Sequence, residues 1–150
     1  MRYLQWAFII FLTFILQRRL SLFGVAPNLT FVLVYYAGIR EGGFLGIILG
    51  SLVGSIEDSL SGAFFGPHFL SKGLIGYFSS FMSGSFFRWT PILGAIGIAA
   101  LTIIDSAVVF ASRSFFDSIP VSIGAAVLII AIQTLFNAPL GILVRPKNTD

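Results

Sequence analysis

The sequence predicts an all-α integral membrane protein, in which six transmembrane helices form one bundle and residues 1–150 form a single transmembrane domain. Hydrophobic residues make up 57% of the chain and charged residues only 10%, whereas a soluble domain carries about 25% charged residues. Charges and turn-forming residues divide the chain into six apolar blocks. Glycines also recur at a four-residue spacing in the middle of the chain, and small residues in register promote helix association in lipid.

The composition narrows the functions that the chain can have. It contains no cysteine, which excludes disulfides, thiol catalysis and thiolate metal sites. The net charge of +3 comes from scattered basic residues, unlike the clustered basic face of a nucleic-acid-binding protein. There is one histidine, and the H-E-x-x-H, G-x-S-x-G and P-loop motifs are missing. We therefore expect no catalytic residue, cofactor, bound metal or nucleic-acid partner.

The first block, residues 3–16, predicts a retained first helix. An arginine pair follows it, where a signal peptide would carry small residues for cleavage. The second block, residues 20–39, contains Pro27 and Asn28. Because proline is favoured in the first turn of a helix, we expect the regular helix of this block to begin there.

The third block, residues 42–56, predicts a glycine-rich helix that ends at Glu57 and Asp58. Each interior glycine costs about 0.5–1 kcal/mol relative to alanine. In lipid, however, glycines on one helix face form a groove that lets a second backbone approach closely. A four-residue step exceeds 3.6 residues per turn, so the groove drifts around the helix and favours a steeply crossed neighbour. The glycines that we expect to face a neighbouring helix are Gly42, Gly46, Gly50 and Gly54, with Gly38 preceding them at the same spacing.

The fourth block, residues 69–87, carries a second line of small residues at Gly76, Ser80 and Gly84. These residues also share one helix face. The line either packs inside the bundle or receives the single helix of a partner protein. Both interpretations remain open from the sequence.

The fifth block, residues 91–110, contains Asp105 within an apolar stretch. A carboxylate inside a spanning helix is costly, so Asp105 should face protein or water. It also lies only about five residues before the expected helix end. Asp105 either makes a structural polar contact or has a role in partner binding or function.

The sixth block, residues 121–144, contains Gln133, Asn137 and Pro139 near its end. Proline within a helix frees backbone carbonyls, which neighbouring polar side chains can satisfy. We therefore expect a kink at Pro139 with Asn137 as the partner of the freed carbonyls.

Glu57 and Asp58 stand about ten residues before His68 and Lys72. Carboxylates and a histidine can bind a cation or relay protons. In the simpler interpretation, the two acids mark the membrane boundary and the basic residues are their polar partners. One histidine and two acids offer few ligands for a metal ion, which favours a structural or partner-facing role.

The chain resembles the family of the rod shape-determining membrane protein MreD. The resemblance rests on Pro27 and on GGFLGIILGSLVGSIEDSLSGAFFGPHFLSKGLIGY, which combines a glycine-rich helix ending in Asp58, a loop with Gly66, and a helix with the Gly76-Tyr77 step. Chain length and the six blocks agree with it. Glu57 beside Asp58 and the regularity of the glycine spacing are not part of the family pattern.

This resemblance implies a non-enzymatic subunit of the bacterial cell-elongation machinery, which organises peptidoglycan synthesis along the lateral wall. It implies a fold similar to the substrate-binding subunits of energy-coupling-factor transporters. The implied partners are the single-helix protein MreC, a SEDS glycosyltransferase with its class B penicillin-binding protein, membrane lipid and, indirectly, the MreB filament. The alternative is a vitamin-binding subunit of such a transporter, although the first block has only Ala7 where those subunits carry an alanine-x-x-x-alanine docking pattern.

The expected location is the bacterial cytoplasmic membrane, with several crossings. Six crossings place both termini on one side, and basic residues favour the cytoplasmic side. The basic residues expected on the side of the termini are Arg2, Arg40, Arg88, Arg145 and Lys147, against Arg18, Arg19, Lys72 and Arg113 on the other. This distribution favours cytoplasmic termini.

Overall fold

In the computed structural model, residues 2–19, 27–62, 64–83, 90–116 and 122–144 are described. All regular elements of these residues are helical, which confirms the all-α prediction for this part of the chain. The α-helices are α1 (Arg2–Arg19), α2 (Leu29–Glu41), α3 (Gly43–Ser61), α4 (Pro67–Ser79), α5 (Pro91–Phe116) and α6 (Ile123–Asn137). Short 3-10 helices follow α4 at Ser80–Met82 and α6 at Ala138–Ile142.

Three segments are long and apolar enough to cross a membrane among the described residues. They are Gly43–Ser61, Pro91–Phe116 and Ile123–Ile142. The helices α2 and α4 have 13 residues each, about 20 Å of length, whereas the hydrocarbon core is about 30 Å thick. The coarse prediction of a membrane protein is therefore supported by length and composition.

Helix α2 lies at the centre of the fold. Phe31, Val34 and Tyr35 on this helix are fully buried, and α1, α3 and α4 all pack against it. Helix α5 packs on α4, and α6 packs on α5 together with the 3-10 helix that follows it. The outer helices keep large apolar side chains exposed, such as Phe8 on α1 and Leu135 on α6.

Helix boundaries differ from the sequence prediction in α3, α4 and α5. Helix α4 begins at Pro67 and gives way to a 3-10 helix after Ser79, within the expected block of residues 69–87. Helix α3 continues past Ile56 to Ser61, where Gly62 takes a left-handed conformation with φ 63°. Helix α5 continues past Phe110 to Phe116. In the simpler interpretation of the sequence, Glu57 and Asp58 mark the membrane boundary, but Glu57 has a partner on α4, Lys72, and α3 continues through it.

Helix α2 begins next to Pro27 and Asn28, as the sequence predicted. The carboxamide oxygen of Asn28 accepts a hydrogen bond from the Phe31 N–H at 2.9 Å, and this bond caps the helix. The helix ends at Glu41 and is separated from α3 only by Gly42.

Candidate functional site

Helices α3 and α4 form an antiparallel pair whose backbones touch. A Cβ on Gly46, Gly50 or Gly54 would come within 3.0 Å of the backbone carbonyl of Gly76, Lys72 or His68, respectively. Each four-residue step forward along α3 is thus matched by a four-residue step back along α4. A Cβ on Gly76 would in turn meet the carbonyl of Gly46, so no side chain larger than hydrogen fits this line.

The close approach of α3 and α4 persists from Gly46 to Gly54, about 12 Å along the helix. Two helices that cross steeply share a shorter contact, so the paired backbones differ from the steep crossing that the sequence suggested. Gly38 on α2 joins the same contact, since its Cβ would also meet the carbonyl of Gly76.

Gly42 does not belong to this packing line, and its assignment as a helix-packing residue is wrong. A Cβ on Gly42 would meet nothing within 4 Å. The residue has φ 85°, a conformation that glycine adopts at little cost. Its function is therefore to separate α2 from α3.

Two residues of the second line of small residues, Gly76 and Ser80, contact α3 within the bundle. Gly76 contacts Gly46, and a Cβ on Gly43 would lie 3.1 Å from the Ser80 hydroxyl oxygen. Gly84, the third residue of the line, lies outside the described residues, as do Arg88, Arg145 and Lys147. For Gly76 and Ser80 the structure therefore agrees with packing inside the bundle.

Lys72 lies at the centre of a buried charge cluster that we define as Glu57, His68, Lys72 and Asp105. Its side chain is fully buried. The Lys72 Nζ lies 2.6 Å from Glu57 Oε2 on α3 and 3.8 Å from Asp105 Oδ2 on α5. An unpaired charge is costly in an apolar interior, so Lys72 requires both carboxylates nearby. Through these contacts it links α4 to α3 and α5.

Neutral groups are also hydrogen-bond or close polar partners of both carboxylates, Glu57 and Asp105. Glu57 accepts a hydrogen bond from the Thr30 hydroxyl and lies 3.2 Å from His68 Nδ1. Asp105 accepts hydrogen bonds from the Ser71 hydroxyl and, at 3.3 Å, from Asn28 Nδ2. With Lys72, each carboxylate thus has three partners for about four lone-pair sites. Asp105 faces protein, as the sequence predicted.

Asp58 has a different function from its neighbour Glu57. Its carboxylate accepts hydrogen bonds from the backbone N–H groups of Gly66, His68 and Phe69 at 2.9, 3.1 and 3.0 Å. These groups belong to the exposed donors at the start of α4, which attract negative charge. Asp58 therefore joins the end of α3 to the start of α4.

The polar residues near the end of α6 contact α5. Asn137 Nδ2 donates to Thr102 Oγ1 at 3.4 Å, and Gln133 Oε1 accepts from the Ser106 hydroxyl at 3.2 Å. Pro139 lies in the 3-10 helix that ends α6. The expected bond between Asn137 and freed carbonyls is thus replaced by an interhelical bond.

A polar cavity opens beside the charge cluster. It measures about 380 Å³ and is lined by Phe14, Gln17, Arg18, Asn28, Glu57, Leu60, Ser61, His68, Ile129 and Gln133. A second cavity of about 220 Å³ shares Asn28, His68, Ile129 and Gln133 with it and reaches Asp105 and Arg113. The Arg113 guanidinium lies 3.5 Å from His68 Nε2.

Within the described residues, no group of three or more His, Asp or Glu side chains has an arrangement that would hold a metal ion. The Lys72 ammonium lies between the two carboxylates where a cation would otherwise be held. The cluster therefore supplies its own positive charge.

Sequence reasoning missed the central position of Lys72. One signal was present, because His68, Lys72, Gly76 and Ser80 follow one another at the four-residue spacing of the α3 glycines. Matching the two spacings would have paired α3 with α4 and brought Lys72 opposite Gly50. The hydrogen bonds of Asn28, Thr30 and Ser71 join residues distant in sequence, and no local pattern indicates them.

Comparison with protein-family models, curated proteins and solved structures finds no match for this chain.

Proposed function

We propose that this chain is a non-enzymatic scaffold subunit of the bacterial cytoplasmic membrane, with the function that MreD-family proteins have in the cell-elongation machinery. In this proposal it binds an MreC-like single-helix protein and helps to organise the SEDS glycosyltransferase and its class B penicillin-binding partner. The observation that carries the proposal is the closely packed α3–α4 pair. Its glycines and charges are used in contacts within the chain.

The proposal includes six membrane crossings in one bundle, similar to the substrate-binding subunits of energy-coupling-factor transporters. Three helices have the length and composition of membrane spans. Helix α1 has 18 residues, with two arginines in its last turn, where they can extend to the interface. The shorter helices α2 and α4 pack directly against the span α3, which supports their placement at the same depth.

The outward face of α6 is the surface that we assign to the partner helix. Only 11% of the apolar segment that contains α6 is buried within the chain, against 28% for the segment of α3. Gly124, Leu128, Ala131 and Leu135 are exposed, and their spacing places them on one helix face. The small residues at positions 124 and 131 permit close approach of a second helix.

Co-purification from native membranes, followed by mass spectrometry of the bound proteins, tests this function. We expect a single-helix protein with a large domain outside the membrane to be recovered with the chain. Recovery of ATPases together with a vitamin would instead support the transporter subunit and contradict the scaffold proposal.

The α6 surface has its own matched test. Ala131→Leu adds bulk to the assigned face, and Ala107→Leu adds the same bulk to an exposed position on α5. We expect Ala131→Leu to lower recovery of the single-helix partner severalfold while Ala107→Leu leaves it unchanged. Equal recovery with both variants, at equal expression, would reject α6 as the binding face.

A further inference from the structure

We propose that the polar cavity beside the charge cluster binds the headgroup of one anionic phospholipid with a hydroxylated headgroup, of the phosphatidylglycerol type. One acyl chain of this lipid lies in an apolar groove between α1 and α3. The site is independent of the scaffold function and requires no partner protein.

The polar cavity continues into the apolar groove. The groove measures about 550 Å³ and is lined by Ala7, Ile10, Phe11, Phe14, Ile15, Arg18, Leu52, Ile56 and Leu60. Phe14, Arg18 and Leu60 line both spaces. A polar space of about 380 Å³ thus adjoins an apolar one, which is the arrangement that an amphipathic molecule requires.

The groove follows α1 away from Arg18. Arg18 lies in the last turn of α1, and the groove extends back along the helix to Ala7. This stretch of helix is about 16 Å long. A headgroup at Arg18 therefore places its chain along the apolar part of α1, where membrane lipid lies.

Within the described part of the chain, the charged side chain without an ion-pair partner at the rim of the site is Arg18. Glu57 and Asp105 already have Lys72 and neutral donors as partners. No carboxylate of the described residues forms an ion pair with Arg18, and its side chain is exposed at the rim that the cavity and the groove share. A guanidinium in this position favours a phosphate group.

The amide side chains of the cavity offer donors as well. Gln17 Oε1 accepts a hydrogen bond from the Thr30 N–H at 3.1 Å, and Gln133 Oε1 accepts from the Ser106 hydroxyl. Their carbonyl oxygens are therefore engaged, and their NH₂ groups remain as donors. Donors of this kind match phosphate and hydroxyl oxygens. The carboxylate in the lining, Glu57, already has Lys72, Thr30 and His68 as partners, so it leaves little acceptor capacity for an ethanolamine ammonium.

The experiment uses the full chain, purified in a neutral detergent and freed of lipid. Thermal unfolding and native mass spectrometry are measured with phosphatidylglycerol, with phosphatidylethanolamine and with glycerol phosphate, which lacks acyl chains. We expect phosphatidylglycerol to bind and to raise Tm, and the other two probes to have little effect. Equal stabilisation by phosphatidylethanolamine, or by glycerol phosphate alone, would overturn the proposal.

Arg18→Gln and Arg19→Gln provide a matched pair at the end of α1. Both side chains are exposed, but only Arg18 lines the cavity and the groove. We expect Arg18→Gln to weaken phosphatidylglycerol binding about tenfold, as for the loss of one charge-assisted hydrogen bond, and Arg19→Gln to bind as the wild type does. Equal weakening in both variants would indicate general attraction between surface charges and lipid, and would contradict a specific site.

A second pair tests the groove without altering charge. Leu52→Trp fills the groove, and Ile103→Trp makes the same change at an α5 position that is equally exposed, at 50%. We expect Leu52→Trp to lose retained phosphatidylglycerol while keeping its lipid-free Tm, and Ile103→Trp to retain the lipid. Retention by the folded Leu52→Trp protein would exclude the groove as the acyl-chain site.

Discussion

The α3–α4 pair is held by contacts within the chain, whereas the outer helix α6 leaves most of its surface exposed. Helix α3 is the less apolar of the two, yet a larger share of its apolar segment is buried, 28% against 11% for that of α6. In a soluble protein the more apolar helix would lie deeper. In lipid, apolar side chains gain little from burial, and close packing and polar contacts hold helices together. Between α3 and α6, glycine and charge rather than hydrophobicity therefore decide which helix belongs to the core, whereas α5 is both the most apolar of the three segments and the most buried, at 33%.

The largest effect is expected from a substitution that removes the buried positive charge of Lys72. Lys72→Met would leave Glu57 and Asp105 buried without their cation, and breaking a buried pair costs about 3–5 kcal/mol. We expect little folded protein in detergent, as measured by size-exclusion chromatography and thermal unfolding. Arg19→Gln, which removes an exposed charge, serves as the control and should behave as the wild type. Restoration of folding on adding Glu57→Gln and Asp105→Asn would support the charge explanation, and a stable Lys72→Met protein would contradict it.

The glycine contact is the next feature to break. Gly50→Leu places a side chain against the backbone carbonyl of Lys72, and overpacking costs about 1–3 kcal/mol or more. A Cβ on Gly124 of α6 would meet only the Ser122 hydroxyl oxygen, at 3.9 Å, so the same substitution there starts from open space. We expect Gly50→Leu to lower Tm strongly or to prevent assembly, and Gly124→Leu to leave Tm close to wild type. Equal Tm values for the two variants would remove the distinction between core and outer helices.

A smaller effect is expected where α3 joins α4. Asp58→Ala removes an acceptor from three backbone N–H groups at the start of α4, and loss of a helix cap costs about 0.5–2 kcal/mol. Ser59→Ala, which removes an exposed hydroxyl one residue further on, is the control. Urea unfolding of the detergent-solubilised protein should show a lower midpoint for Asp58→Ala only. A midpoint equal to that of Ser59→Ala would argue against the cap.

The smallest effect is expected for Asp105→Asn. The amide keeps the shape of the carboxylate and can still accept from the Ser71 hydroxyl, while Lys72 keeps its shorter ion pair with Glu57. We expect a loss of about 1 kcal/mol or less and normal folding by thermal unfolding. Asp105→Leu, which cannot accept a hydrogen bond, should be clearly less stable. Comparable losses for the two variants would show that charge rather than hydrogen bonding is what Asp105 supplies.

The sequence predicted the features of this fold that depend on local pattern. Helices follow from apolar blocks, the start of α2 follows from Pro27 and Asn28, and the α3 packing face follows from the glycine spacing. The assignment of Gly42 as a packing residue is wrong because Gly42 follows the same four-residue spacing as the packing glycines, although it lies between two helices with a positive φ. The distinction depends on backbone conformation, which spacing does not encode.

The buried charge cluster around Lys72 could not be predicted from local sequence pattern. Glu57, Lys72 and Asp105 come from three helices, so their pairing depends on how those helices are arranged. Glu57 and Asp58 alone resemble a membrane boundary, which places the expected end of α3 before its observed end at Ser61. A charge inside a bundle carries little information about helix ends when its partner lies on a neighbouring helix.

A disulfide between α3 and α4 tests the paired register most directly. The chain has no cysteine of its own. A Cβ on Gly73 would lie 3.9 Å from the Cβ of Ser51, within the range of about 3.5–4.5 Å that a disulfide requires. The register predicts that Ser51→Cys with Gly73→Cys forms a disulfide on mild oxidation, and that Ser51→Cys with Ser80→Cys, about two helical turns away, does not. Free thiols that persist in the first pair, or a disulfide that forms equally in both, would contradict the close-packed α3–α4 pair.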